Sequence, residues 1–575
     1  MSEFDVVIRG GSVVDGTGAE ARTADVAIAG DKIVAVGDVG SVSPSTRVID
    51  ADGALVTPGW VDIHTHYDGQ ATWDTQLAPS SWQGATTVVM GNCGVGFAPV
   101  RPADHQRLIE LMEGVEDIPG AALNEGLSWE WQSFAEYLDA VERQPHDIDV
   151  GAQVPHGALR LHVMGERGAQ REMATADDIE RMGAIARAGI EAGALGFTTS
   201  RTLNHRTSRG EPTPTLTASA DELIGIARAI GGANTGVLQV VSDFIDADTE
   251  FEMLRDMVQL SGRPLSLSLA ASPVARDNHL KLLDRITQAN VDGLDIKAQV
   301  AARAVGLIFG LECTLNPFMI NPVYKEIAGL PSAEQAAIMR EPGFKDRLFA
   351  ASTDEKVRKL GGPLVGMFDR MFVLDDPPNY EPEPSSAILA TAEREGRSAE
   401  DLAYDLLARD DGKTLFYTPF LNYIDGSLDA VGEMLAHPHT IPGLSDGGAH
   451  VGTICDGSFP TTLLTMWARD RANGRMSVPF LVQRQCRDTA RQVGLLDRGV
   501  LAPGYNADVN VIDFDALTAR RPEIRFDLPA GGKRLIQTAD GYRHTFAHGV
   551  EIYRDGEHTG ALPGRLVRGA QPAPA

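Results

Sequence analysis

Cysteine is scarce: 575 residues carry four, Cys93, Cys313, Cys455 and Cys486. None is spaced as a metal finger or as a pair. That excludes a disulfide scaffold and predicts a reducing, cytoplasmic setting. Long apolar runs are absent too. None approaches the roughly 20 residues needed to span a bilayer. The chain begins at once with strand-like Phe4-Asp5-Val6-Val7-Ile8, with neither a basic n-region nor an apolar h-region, so no secretory signal is expected. Basic residues are few, 51 Lys and Arg against 79 Asp and Glu, for a net charge of −28. Such a surface disfavours nucleic acid and anionic membranes as partners. No polar low-complexity block suggests a disordered arm. No Walker loop, dinucleotide glycine pattern or nucleophile elbow stands at a strand-to-helix junction.

Hydrophobic residues make up 43% of the chain, ample for a large core. Residues 4–57 read as short strands with tight turns, with Gly30-Asp31 as a hairpin signal between alternating apolar positions. The tail repeats the pattern at 504–512 and 548–553. A small β-domain built from both ends, 1–57 and 501–575, leaves 58–500 as the body. The body offers eight strand candidates: Val61–His66, Thr86–Asn92, Val150–His156, Leu195–Ser200, Val237–Asp243, Leu265–Ala270, Leu294–Ala301 and Leu444–His450. Amphipathic runs such as Asp177–Ala192, Asp221–Ile230 and Phe251–Leu260 lie between them. Alternating strands and helices predict a parallel α/β architecture, and eight units fit a (β/α)8 TIM-like barrel better than an open sheet. A long stretch, 316–440, separates the last two candidates. Ala333–Met339, Asp354–Leu360 and Ala387–Leu407 read as helical within it. Loops this long serve as lids and substrate walls, or as packing and homo-oligomer contacts.

In Pro58-Gly59-Trp60-Val61-Asp62-Ile63-His64-Thr65-His66-Tyr67-Asp68 an apolar run follows a turn signal and reads as a buried strand. Residues i and i+2 of a strand point to one side, so His64 and His66 converge. Such a pair suits zinc or another transition metal, and equally suits two hydrogen-bonded core histidines. Cys93 ends the apolar run Thr87-Val88-Val89-Met90 between Asn92 and Gly94. It is either a metal-binding thiolate or a small buried hydrophobe. Asp446 sits in a Gly-rich turn after Leu444, where aspartates are common for turn chemistry alone. Arg201, His205 and Arg206 form the most basic spot near the mouth of the expected barrel. A guanidinium there suits a substrate carboxylate, and these residues equally suit pairing with the abundant surface acids.

The stretch PGWVDIHTHYD resembles the first barrel strand of the amidohydrolase superfamily. Gly91-Asn92-Cys93-Gly94 and Ser445-Asp446-Gly447-Gly448 narrow the resemblance to the D-aminoacylase (N-acyl-D-amino-acid deacylase) branch. It covers nearly the whole chain and implies a barrel with a β-sandwich domain from both ends. It further implies a metal centre of His64, His66, Cys93 and Asp446. Asp446 would take a proton from metal-bound water that attacks the amide, then pass it to the leaving amine. His450, four residues on, would help bind the tetrahedral intermediate, and His156 in Val154-Pro155-His156-Gly157 would contact substrate or else bond only nearby backbone. The family also places a histidine at the ends of the fifth and sixth strands. Here those strands, Val237–Asp243 and Leu265–Ala270, carry none, and the fourth has no lysine to bridge two ions. One zinc ion per chain is therefore expected, with Gln239 and Asp243 as the available oxygen substitutes. The expected activity is hydrolysis of a small-molecule amide, an N-acyl (D-)amino acid. The alternatives are another C–N bond (cyclic amide, carbamate, anilide) and a metal-poor barrel that only binds.

Overall fold

The computed structural model describes residues 4–351 and 365–575. Eight parallel strands pair in chain order: Trp60–Asp62, Ala85–Met90, Asp149–Pro155, Gly196–Arg201, Val237–Ser242, Leu265–Leu269, Ile296–Val300 and Thr440–Pro442. Buried on both faces, they are rich in Val, Leu and Ile, as parallel strands under helices must be. The sheet curls until its edges meet. Asp446 N donates to His64 O (3.1 Å) and His66 N to Gly447 O (2.8 Å), just past the first and eighth strands. This is the layout of a TIM-like barrel.

Seven of the eight strands lie where the sequence predicts them. The eighth does not. It is Thr440–Pro442, paired with Ala298–Val300, and Leu444–His450 is the turn that follows. Leu444, Asp446, Gly448 and His450 all have positive φ (59°, 50°, 86° and 51°), which no pleated strand allows. Gly448 has a further reason to be glycine. A Cβ there would stand 2.8 Å from the Tyr67 ring and 3.1 Å from the His66 backbone.

Between the seventh and eighth strands a small antiparallel sheet forms from Val305–Phe309, Phe416–Leu421 and Phe372–Val373. It packs with its own helices around Phe309, Tyr324, Met339, Leu348, Tyr404 and Phe416. The predicted helix at Ala333–Met339 is present as Ser332–Met339. The single run Ala387–Leu407 is two helices, Ile388–Glu395 and Ala399–Leu407, parted by Gly396 at φ 70°. The helix expected at Asp354–Leu360 lies outside the described residues.

The two chain ends share one nine-stranded sheet among the described residues. Its seam is Leu55–Pro58 against Val509–Ile512, antiparallel, over a core that includes Ile8, Val26, Ile28, Val56, Val511 and Phe546. A buried charge cluster ties this sheet to the barrel. Asp149, on the third barrel strand, accepts from Arg498 Nη1 (2.7 Å) and pairs with His548 Nε2 (2.8 Å). Burial opposes its charge, but Arg498 and His548 outweigh that and bring its pKa from 3.8 to about 2. A depressed carboxylate contributes stability above its unfolded pKa and loses it as pH falls through the folded one. Asp149→Asn leaves Arg498 with Asp497 alone (2.9 Å) and is expected to cost about 2–3 kcal/mol at neutral pH, the size of the lost pKa shift. In urea titrations the gap to wild type should narrow by about 2 kcal/mol between pH 5 and pH 2. A gap that stays constant with pH would mean the pair is not what holds the cluster. No helix among the described residues is long and apolar enough to cross a membrane.

Candidate metal centre

His64 and His66 extend past the first strand and point to the same side, with ring centroids 5.6 Å apart. His64 Nδ1 lies 2.6 Å from Gln299 Oε1 on the seventh strand, and Gln299 Nε2 donates to Ser266 Oγ (2.9 Å) on the sixth. With its amide oxygen facing His64, Gln299 can only accept. Nδ1 therefore carries the proton, and the lone pair sits on Nε2. That Nε2 stands 3.3 Å from Cys93 Sγ and 3.3 Å from Asp446 Oδ1. His66 Nε2 is 3.5 Å from the same Asp446 oxygen. Donor atoms of His64, His66 and Cys93 all fall within 4.8 Å of one another.

The other two members come from loops. Gly91 and Gly94 flank a tight turn that holds Cys93 at φ 54°, and Asp446 is held at φ 50°. Left-handed backbone at non-glycine residues costs of order 1–3 kcal/mol and persists where surrounding contacts impose it. Both loops are fixed against barrel strands. Gly94 N donates to Thr198 Oγ1 (3.0 Å), and Ser445 Oγ bonds the Asp62 carboxylate.

The electrostatics fit an absent cation. Burial lowers the pKa of His64 and of His66, so both rings are neutral, the form that ligates metal. Burial raises the Cys93 thiol well above its ordinary value, and Glu116, Asp446 and Asp68 add to the rise. Burial works against the Asp446 charge as well, opposed first by its contact with His66. Both nitrogens of His66, both oxygens of Glu116 and Asp446 Oδ1 are buried without a hydrogen-bond partner. Ligands of one tetrahedral zinc, each at about 2.0–2.3 Å, stand about 3.3–3.8 Å from one another. The spacings of 3.3, 3.3 and 3.5 Å between these donors match that edge length. Two imidazoles, a thiol and a carboxylate are a donor set for zinc rather than for calcium or magnesium.

Two of the predicted substrate residues reach this cluster. His450 Nε2 lies 3.8 Å from Asp446 Oδ2 and 3.6 Å from Glu116 Oε2. His205 bonds Ser200 Oγ through Nδ1 (2.9 Å), and burial, with His450 and His66 beyond it, presses its pKa to about 3. The other two do not. His156 is fully buried with both nitrogens taken, by Thr199 Oγ1 (2.9 Å) and Glu222 Oε1 (3.0 Å), and Arg160 completes that network. Arg201 gives its guanidinium to Glu250 and to the carbonyl of Ala218. His156 keeps no donor for substrate, and Arg201 has three of its five N–H groups committed to Glu250 and Ala218. Asp243 is likewise committed, accepting from Thr202 Oγ1 (2.5 Å) and Leu203 N (2.8 Å). Gln239 donates to Ser268 Oγ at 3.4 Å and leaves its oxygen unpartnered.

Sequence reasoning missed Glu116, Asp68 and Gln299. Asp68 is 2% exposed and accepts from Gly91 N (3.1 Å), and burial raises its pKa to about 7. For Asp68 the signal was present, since it closes the PGWVDIHTHYD stretch. For Glu116 and Gln299 nothing local distinguishes them from surface or core residues.

The amidohydrolase family matches this chain over residues 47–355 and 399–553. A D-aminoacylase of Alcaligenes xylosoxydans xylosoxydans is 33% identical over 227 residues, 40% of this chain and 42% of that relative. An N-acyl-D-aspartate deacylase of the same organism is 27% identical over 573 residues, 98% of this chain and 95% of the relative. Among solved structures, a D-aminoacylase described for its binuclear metal centre, with one-metal activation and second-metal attenuation, is 25% identical. It superposes with a TM-score of 0.65 over 98% of this chain and 100% of that one.

Proposed function

Because the chain belongs to the amidohydrolase family, we propose that it is a metal-dependent hydrolase of N-acyl D-amino acids. One observation carries this reading: the convergence of His64, His66, Cys93 and Asp446, with Asp446 Oδ1 and the His66 nitrogens buried and unpartnered. Likeness to deacylases of N-acyl D-amino acids over nearly the whole chain supports the substrate class.

These four residues would hold one zinc ion. Bound there, the ion supplies Lewis acidity toward an amide carbonyl and an attacking water. Asp446 performs the proton transfers. Its Oδ1 faces the two histidines, and its Oδ2 turns toward His450 and carries the proton from the water to the leaving nitrogen. His450, on the same turn, and His205 face the developing oxyanion and the substrate. On the same reading the nine-stranded sheet of 1–57 and 501–575 is the small β-sandwich that accompanies such barrels. Residues 58–500 are the catalytic body, working in the cytoplasm, and the 316–440 insertion walls the mouth.

A second ion has few ligands to take it: Gln239 and Ser268 stand on the fifth and sixth strands, and Asp243 is tied to Thr202. Protein purified with excess zinc should contain about one ion per chain, by ligand count. Elemental analysis measures it, and two firmly held ions would overturn the ligand set. The departure on those two strands also favours a second reading, hydrolysis of a cyclic amide, carbamate or anilide. A panel of N-acyl-D- and N-acyl-L-amino acids beside such compounds separates the two. Turnover confined to the latter would reject the D-aminoacylase assignment and keep the metal centre.

A further inference from the structure

The helix His105–Glu116 follows the second barrel strand and ends at the mouth, closed by Asp117 at φ 53°. Its last residue, Glu116, is 1% exposed. A helix C-terminus carries the negative end of the macrodipole, where cations are favoured and carboxylates are not. A buried carboxylate in that position is unfavourable unless a proton or a cation meets it. Glu116 has no lysine or arginine within ion-pairing distance among the described residues, and neither of its oxygens has a hydrogen-bond partner. Its neighbours are two histidines. Oε1 lies 3.2 Å from His66 Nδ1, and Oε2 lies 3.6 Å from His450 Nε2.

The arrangement repeats the one around His64. There Nε2 faces Cys93 and Asp446 while Nδ1 is held by Gln299 Oε1. At His66, Nε2 faces Asp446 while Nδ1 faces Glu116. Each histidine thus has one nitrogen toward the centre and the other toward an oxygen, a hydrogen bond at His64 (2.6 Å) and a 3.2 Å approach that is not yet a hydrogen bond at His66. Such outer acceptors fix the tautomer of a ligating histidine and raise its basicity, and a charged one does so more strongly than an amide.

We propose that Glu116 is a positioning residue of the metal centre. Its Oε1 accepts the Nδ1 proton of His66, which leaves the Nε2 lone pair free for the ion. Its Oε2, 3.6 Å from His450 Nε2, places the same carboxylate beside that residue. The proposal rests on the metal-centre reading above. It explains why an acid is buried at the wrong end of a helix: the cation one imidazole away is its counter-charge.

The test compares wild type with Glu116→Gln, which keeps the shape and removes the charge. Zinc dissociation constants are measured by chelator competition, and thermal midpoints are taken with and without zinc. The variant should bind zinc about 10–100-fold more weakly, the usual effect of losing such an outer partner. Its metal-free form should melt at or above the metal-free wild type, because burying an unpartnered amide costs no more than burying an unpartnered carboxyl group. Zinc affinity equal to wild type would overturn the proposal. So would a variant that fails to fold, or melts lower without metal, since Glu116 would then be structural. A wild type that binds no zinc would instead reject the metal-centre reading itself.

Discussion

Asp446→Asn is expected to cut turnover by at least about 10²–10⁴-fold while zinc remains bound and the fold survives, the range set by loss of general acid–base help. Asparagine keeps the shape of the side chain and one oxygen for the ion. It cannot accept a proton from water or return it to the leaving nitrogen. The structure gives the carboxylate the properties this role needs. Its Oδ1 lies 3.3 Å from His64 Nε2 and 3.5 Å from His66 Nε2, the two imidazoles with which it would share the ion. Its side chain is still 19% exposed, open toward the mouth where substrate enters. The main-chain bond from Asp446 N to His64 O (3.1 Å) fixes it beside the ligands and does not depend on the side chain. The measurement is kcat on a substrate that wild type hydrolyses, with zinc content determined on the same samples. Added zinc should not restore the rate, because the defect is in proton transfer. A zinc-loaded variant that keeps most of its activity would reduce Asp446 to a turn residue.

Cys93→Ala should act at an earlier stage, on the ion itself. Cys93 Sγ is one of three donors that meet at the centre, and it is 3.3 Å from His64 Nε2. Zinc sites of this kind bind with roughly 10–16 kcal/mol in total, so one of four donors is worth about 3–4 kcal/mol, or some 10²–10³-fold in affinity. Removing the sulfur of a residue 8% exposed should cost little in folding, so the metal-free variant remains soluble and cooperative. With cobalt in place of zinc, wild type should show a thiolate-to-metal charge-transfer band that the variant lacks. High zinc should partly restore activity here, unlike in Asp446→Asn, and that contrast separates ligand from proton carrier. Burial and three nearby acids keep the free thiol protonated, so loading must release its proton. Zinc affinity should therefore weaken as pH falls. Retention of the cobalt band in Cys93→Ala would assign the thiolate elsewhere, with Cys455 of the 446–456 loop the first to examine.

Some of this was determined by the sequence alone. The period of a strand is two, so a His-x-His at the end of an apolar run had to put both rings on one side. Apolar runs of strand length alternating with amphipathic helical runs gave eight barrel strands in order, seven of them in place. Short alternating strands at 4–36 and 504–553 could not bury their faces alone, and they meet in one sheet. The missing histidines of the fifth and sixth strands were legible as letters, and no folding could supply them. Each of these follows from residue identity or local periodicity.

What the tertiary structure decided lies in pairings across the chain. Gln299 fixes the His64 tautomer from 235 residues away, and Glu222 withdraws His156 from 66 residues away. Arg201 could have met a substrate carboxylate or an acid of the chain, and the fold set Glu250 against it. The last barrel strand fell at Thr440–Pro442 because Leu444, Asp446, Gly448 and His450 after it adopt left-handed backbone that periodicity does not encode. Glu116 reads in sequence as one more acid on an amphipathic helix. Only the path of that helix over the barrel mouth buries it between His66 and His450. A carboxylate's role is set by its solvation and its nearest charges, and both are properties of the assembled fold.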